Sequence, residues 1–230
     1  MHNSKNIIIT KDLLAPSQGQ HSILPSMFVW RTEKKFSGKN QIAVVDPQEA
    51  SWWNRPLTSD VMCKKEEDGL YSYNLPFINK HRTNLLFKTN YNVLLNKNSV
   101  CCVVHLQLDD IWTAEQKQLL PKMLRNCIED VLISLGVKKE DLSFNGNDMY
   151  FKGIKFSGDE QLLDGDVFTQ ATIVTLQVAP EKDIFDRLTG KYAHVKPITG
   201  ISEEVPSITK EAFIDKLYEK VCAYVEEHFN

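Results

Sequence analysis

The run from Leu119 to Leu135 limits the possible folds of this chain more than any other stretch. Leu119, Leu120, Met123, Leu124, Cys127, Ile128, Val131, Leu132 and Leu135 recur three or four residues apart. A helix with such a stripe must bury it against a second layer of structure. Thr113 and Gln116 precede it at capping-box spacing, and Gly136 follows as a stop. Pro121 inside the pattern lacks an amide hydrogen, so a kink is expected, or a start nearer Leu119.

The second layer is legible on either side. IIIT (7–10), MFVW (27–30), QIAVVD (41–46), YNVLL (91–95) and SVCCVVHLQL (99–108) are β-branched or aromatic and bounded by turn residues. Downstream come a hairpin pattern in NGNDMYFKGIKFSG (145–158) and a strand pattern in ATIVTLQV (171–178). A short helix is expected from about Pro180 to Leu188, with Gly190 past its end. A closing helix starts near Thr209 and presents Phe213, Leu217, Val221 and Tyr224 along one face. Strands in series with segregated helices predict an α+β fold, a mixed and mostly antiparallel sheet with packed helices. No repeat or low-complexity linker divides residues 1–230, so one domain is expected.

Charge and cysteine usage remove several function classes. The net charge of -3 gives no electrostatic basis for nucleic-acid binding. Five cysteines, including the adjacent pair Cys101-Cys102 and no CxxC, suit neither a disulfide framework nor a zinc site. Cys127, at an apolar helical position, reads as a small buried hydrophobe. No apolar run is long enough for a signal-peptide core or a membrane span, so a reducing, cytoplasmic compartment is expected. The P-loop, Rossmann, zincin and nucleophile-elbow signatures are absent. His105 on a strand reads as structural, Asp109-Asp110 as the end of that strand, and Trp52-Trp53 as either a stacking platform or a loop anchor.

The stretch 145–158 carries the most chemistry. Lys155 lies in a strand-like run after the break at Lys152-Gly153. Two readings stand from the residues alone. The lysine snorkels to water from a hairpin, or its ammonium group points into a ligand site.

The segment from about Leu119 to Val225 resembles the catalytic domain of lipoate–protein ligases, within the larger group that includes biotin–protein ligases and octanoyltransferases. In that group an Asn-Asp pair starts a strand and a lysine returns on the next strand in a K-x-[SA]-G signature. Here these are Asn147-Asp148 and Lys155-Phe156-Ser157-Gly158. FTQATIVTLQV (168–178) is similar to the group's His-Gly-Thr-Leu strand, with Gln170-Ala171-Thr172 in place of His-Gly-Thr. VKPITGISEEVPSIT (195–209) resembles its Val-Thr-Asn-Leu segment. Trp30, Arg31, Gly38, Lys39 and Gln41 follow the order of an earlier Trp-Arg…Gly-Arg-x-Gln segment.

The resemblance implies a lipoate or octanoate–protein ligase or transferase that moves an acyl group to a lysine of a lipoyl-type carrier domain. Lys155 would be the catalytic cation at the acyl carbonyl. Arg31, Lys64, Lys65, Asn147, Ser157, Gly158 and Thr172 would contact substrate or nucleotide. Asp148 would help hold Mg²⁺ near the phosphates of ATP. One departure matters: the group's Arg-Arg-x-Ser-Gly-Gly-Gly loop is missing. Lys64-Lys65 stand at the double-arginine position, followed by Glu66, Glu67 and Asp68. Three carboxylates there would repel an adenylate phosphate. The alternative is therefore a catalytically inactive relative acting as a binding, scaffold or regulatory subunit, with a second subunit of the group as partner.

Overall fold

The structure is a computed structural model that describes residues 5–14, 40–47, 51–53, 63–65, 71–73, 93–95, 98–146, 148–178 and 199–229. For 12–14, 47, 51–53, 63–65, 71–73, 93–95, 160, 162 and 164 it describes the backbone alone. The expected strand 27–30 and the expected helix 180–188 lie outside the described residues.

The main sheet has seven strands: β1 (Ile8–Leu14), β2 (Gln41–Pro47), β7 (Ser99–Gln107), β8 (Leu142–Asn145), β9 (Asp148–Phe151), β10 (Ile154–Asp164) and β11 (Val167–Thr175). Across the sheet their order is β1-β2-β7-β11-β10-β9-β8. Only β1 and β2 run parallel; every other pair is antiparallel, so the sheet is mixed and mostly antiparallel as expected. Two small ladders join β3 (Ser51–Trp53) to β6 (Val93–Leu95) and β4 (Cys63–Lys65) to β5 (Tyr71–Tyr73).

Helices α1 (Ala114–Ser134) and α3 (Lys210–Phe229) cover one face, and a one-turn helix α2 (Ile201–Glu204) precedes α3. The stripe read from sequence is the buried face of α1: Leu120, Met123, Leu124, Cys127, Ile128, Val131 and Leu132 are all buried. Phe213, Leu217, Val221 and Tyr224 do the same for α3. Against them lie Ile42 and Val44 of β2, Val100, Cys102, Val104 and Leu106 of β7, and Phe168 and Val174 of β11. Trp112 and Phe229 close one end, their rings 5.2 Å apart. Lys5 reaches over the Trp112 ring and donates to the last helical carbonyl, that of Phe229, at 3.0 Å.

One expectation about α1 needs correction. The helix starts at Ala114, ahead of Leu119, and runs through Pro121. Thr113 and Gln116 form both bonds of the capping box, at 3.2 and 3.1 Å, and this nucleates the first turn. The proline lies on the exposed side, where water can satisfy the Lys117 carbonyl that loses its partner. The strand expected over 171–178 is also shifted. β11 ends at Thr175: the Leu176 amide still reaches the Asn98 carbonyl opposite it, but the Gln177 amide shares that carbonyl and the Leu176 carbonyl accepts from the Ser202 amide instead.

Leu124 is fully buried on α1, whereas Ile133 is an exposed position of the same helix. Leu124→Ala should lower unfolding free energy by about 2–5 kcal/mol, and Ile133→Ala by well under 1 kcal/mol or so. Urea denaturation of the two variants measures the difference.

Candidate functional site

The β9–β10 hairpin turns through Lys152 (φ 47°) and Gly153 (φ 80°), the paired positive dihedrals of a two-residue turn that matches strand twist. Lys155 then pairs with Tyr150, but the next paired residue is Ser157, opposite Met149. The ladder carries a bulge between Lys155 and Ser157. In a regular strand, residues 155 and 157 would share a face. The extra residue reverses this, so that Lys155 shares its face with Gly158.

The consequences can be followed side chain by side chain. Met149 and Phe151 belong to the core beneath the helices, so Asp148, Tyr150 and Lys155 point to the other side of the sheet. Phe156, the inserted residue, is fully buried in that core. On the far face Lys155 Nζ lies 2.7 Å from Asp148 Oδ1, with the lysine side chain 8% exposed and the aspartate 30% exposed. A Cβ on Gly158 would lie 3.4 Å from Lys155 Nζ and 3.7 Å from Asp148 Oδ1. A side chain at this position would lie directly against the ion pair. The same face carries Ala43, Val45, Cys101 and Val103, all buried and outside the core beneath the helices. Ala171, where a methyl group replaces the usual glycine, belongs to this face through its pairing with Val103.

Ser157 and Thr172 face the helices. Ser157 pairs with Val174 and Met149, both core residues, and is buried. Thr172 pairs with Asp159, and its hydroxyl donates to the Asp159 carboxylate. Gln170 Nε2 donates to Asp159 Oδ1 at 2.9 Å, and Gln161 Nε2 donates to Oδ2 at 2.6 Å. Gln161 Nε2 also reaches the carbonyl of Pro121 on α1 at 2.6 Å. Burial pushes the Asp159 carboxyl above its ordinary value; the three donors pull the other way, and the charge of Asp148 adds to the rise. Sequence reasoning missed Asp159, because a carboxylate on the core side of a strand is visible only once the bulge has set the register.

Of the residues expected at the site, Lys155, Asp148 and Gly158 come together. Arg31 and Asn147 lie outside the described residues, and only the backbone of Lys64 and Lys65 is described, in β4. For Mg²⁺ the donor set is small. Asp148 offers one carboxylate, already engaged by Lys155 through Oδ1, and no group of three or more His, Cys, Asp or Glu among the described residues could hold a metal. A lone carboxylate suits a cation whose remaining ligands arrive with a nucleotide's phosphates. Burial pushes the Cys101 and Cys127 thiols up to about 12, so both behave as small hydrophobes. His105 is buried in β7 between Gln41 and Thr169 of the flanking strands. Asp109 lies two residues past the end of β7, its carboxylate accepting from the Ile111 amide at 3.3 Å.

An ion pair between a buried lysine and a half-buried aspartate on the β9–β10 hairpin of a seven-stranded sheet, with α1 and α3 on the opposite face, can be compared with known proteins. No protein-family model matches the chain, and no curated protein does. Solved structures do. One is the bi-partite lipoate protein ligase of Thermoplasma acidophilum, from work that includes its E2 lipoyl domain, at 9% identity and TM-score 0.54 over 95% of this chain and 84% of that one. A second is P. falciparum LipL1 in complex with lipoate, at 11% identity and TM-score 0.53 over 97% and 64% of the chains. This is the lipoate–protein ligase fold. A third, a T. acidophilum protein assigned to lipoate protein ligases and solved with bound lipoic acid, gives 9% identity and TM-score 0.55 over 97% and 86%. At these identities the likeness to lipoate–protein ligases is one of fold. No described helix is long and apolar enough to cross a membrane.

The Asp159 carboxyl yields a pH test. Its pKa is raised in the folded state, so the neutral form is favoured there. The stability linked to it is fully present below the unfolded value, about 3.9, and is lost as pH rises through the folded value. Asp159→Asn lacks this titration. The stability of the native protein relative to Asp159→Asn should therefore fall as pH rises from about 3.9 and level off above the raised value. Urea midpoints of both proteins across that range measure it; a difference that stays flat would contradict the assignment.

Proposed function

We propose that the chain is a divergent acyl–protein ligase or transferase that moves a lipoyl or octanoyl group to a lysine of a lipoyl-type carrier domain. The observation that carries this reading is the buried ammonium group of Lys155, held by Asp148 beside a position that lacks a side chain. A cation fixed in a desolvated place, next to a residue without a side chain, suits a carbonyl oxygen on which negative charge develops.

In the proposed reaction the acid arrives activated, either as an adenylate made with ATP or as a thioester. The carrier lysine's amine attacks the acyl carbonyl carbon and forms the amide bond. The bond from that carbon to the leaving oxygen or sulfur breaks, AMP or the free thiol departs, and the amine's proton passes to solvent. Lys155 Nζ donates a hydrogen bond to the carbonyl oxygen throughout. Asp148 orients the ammonium group and would be the carboxylate that helps hold Mg²⁺, which would supply charge neutralisation for a bound nucleotide. Gly158 leaves room for the acyl carbonyl. Ser157 and Thr172, on the helix side, support the strand that carries the lysine; Arg31, Lys64, Lys65 and Asn147 would contact substrate or nucleotide.

One sequence observation favours a second reading. The acids Glu66, Glu67 and Asp68 stand where glycines would wrap an adenylate. The chain would then be a non-catalytic subunit that needs a partner of the same fold.

A single assay separates the two. The chain is incubated with ATP, Mg²⁺, lipoate or octanoate and an apo lipoyl domain, and the domain's mass is followed. The enzyme reading expects an acylated domain, with Lys155→Ala lowering the rate by about a hundredfold or more, the size of effect seen when one charge-stabilising donor is lost. No product from the chain alone, with recovery of activity on adding a second protein that carries the Gly-rich loop, would establish the subunit reading instead. Product formation unchanged in Lys155→Ala would remove the role given to that lysine.

A further inference from the structure

The ladder between β10 and β11 begins at Ser157 opposite Val174. Two residues further along this register Leu176 would come opposite Lys155, but the ladder stops before it. The amides of Leu176 and Gln177 bond to the carbonyl of Asn98 at 2.9 and 3.1 Å, and the carbonyl of Leu176 accepts from the Ser202 amide at 2.9 Å. The carbonyl of Lys155 is taken up by a different partner, the amide of Thr199, at 2.9 Å. Thr199 is buried and opens the segment that runs through α2.

Two residues fit this segment into place. Gly200 has an extended backbone (φ -95°, ψ 124°) that any residue can adopt, so its freedom of rotation is not what is used. Space is what it supplies. A Cβ there would lie 2.5 Å from both Gln177 Cα and Leu176 O, and 2.9 Å from Gln177 N. All three are backbone atoms, which cannot swing aside as a side chain can. Glu203 supplies the fastening. Its Oε1 accepts from the Val178 amide at 3.0 Å and its Oε2 from the Gly200 amide at 3.3 Å, so one carboxylate ties the two chain segments together. Such bonds from a charged acceptor to backbone amides are stronger than neutral ones.

We propose that Gly200 and Glu203 are positioning residues for Lys155. They hold Thr199 against the lysine's carbonyl and thereby keep the bulge, and the ammonium group it carries, in register over Gly158. This inference rests on the acyl-site reading of Lys155 for its functional meaning, but its physical content is the local order of the strand. On the β11 side of the lysine, the hydrogen bond from Thr199 replaces the ladder that β11 has abandoned. Without it the bulged strand end can open locally while the rest of the sheet stays folded. A displacement of the ammonium group of that kind would cost transition-state contacts more than substrate binding.

The test reads the lysine directly and needs no activity. Native protein is treated with a low dose of an amine-acylating reagent, and modification of each lysine is measured by peptide mass spectrometry. In the parent protein Lys155 should react slowly, being buried and paired, while Lys139 reacts freely. Glu203→Gln and Gly200→Ala should raise Lys155 labelling relative to Lys139 by about tenfold, the signature of a local opening. Two controls isolate the effect. Glu204→Gln, an exposed neighbour in α2, should leave Lys155 protected. Leu124→Ala, destabilised through the distant helix core, should do the same under native conditions. If Glu203→Gln leaves Lys155 protected, or if Leu124→Ala exposes it equally, the proposal is overturned; Glu203→Gln carries the test should Gly200→Ala not fold. A failed lipoyl-transfer assay would bear on the acyl-site reading alone, because labelling is independent of catalysis.

Discussion

One inserted residue, Phe156, determines what the rest of the site can be. It buries a large ring in the core beneath the helices and shifts the strand's alternation by one. That shift puts Ser157 on the core side, puts Gly158 next to Lys155, and lets Asp148 from the preceding strand reach the ammonium group. The bulge is stable because the inserted side chain is apolar and lands where apolar surface is needed. A polar residue at 156 would have to be buried without a partner or let the register slip. Register, packing and site geometry therefore depend on the same position.

The ion pair that results has a consequence for chemistry. Lys155 is nearly withdrawn from water, and Asp148 only partly so. Removing one partner of such a pair costs more than the pair contributes, because the other charge is left in a poor medium. The aspartate thus keeps the ammonium group aimed while no ligand is bound. A ligand oxygen approaching from the Gly158 flank would find the ammonium group oriented in advance, which avoids reorganisation during reaction. On the opposite face of the sheet, Asp159 with Gln161, Gln170 and Thr172 ties β10 and β11 together, and Gln161 links them to α1 through Pro121. The site strand is fixed from the core side as well.

Much of this was legible in the sequence. The helix stripe from Leu119 to Leu135, the capping box at Thr113 and the hairpin break at Lys152-Gly153 are local patterns, and each formed, with Leu119 and Leu135 as the partly buried ends of the stripe. The mixed, mostly antiparallel sheet followed from the order of strands and helices. Less legible were features that depend on long-range contacts. Pro121 suggests a disturbed helix, but it lies on the solvent side, where the lost bond is harmless. Ser157 and Thr172 are expected as ligand contacts through the resemblance alone, and that they face the helices follows only from the register across the bulge. Gly200 looks like any loop glycine until Leu176 and Gln177 are seen against it, and Asp159 and Glu203 acquire partners only in three dimensions.

The central claim is that Lys155 marks a site for a carboxylic acid or its activated form on the sheet face away from the helices. Thermal unfolding with and without lipoate, octanoate or a non-hydrolysable adenylate of either acid tests it most directly, because a ligand that binds the folded state raises the midpoint by mass action. The parent protein should show a concentration-dependent rise that is lost in Lys155→Met, whose own midpoint without ligand is measured alongside. An equal rise in both proteins, or none in the parent protein with any of these compounds, would contradict it.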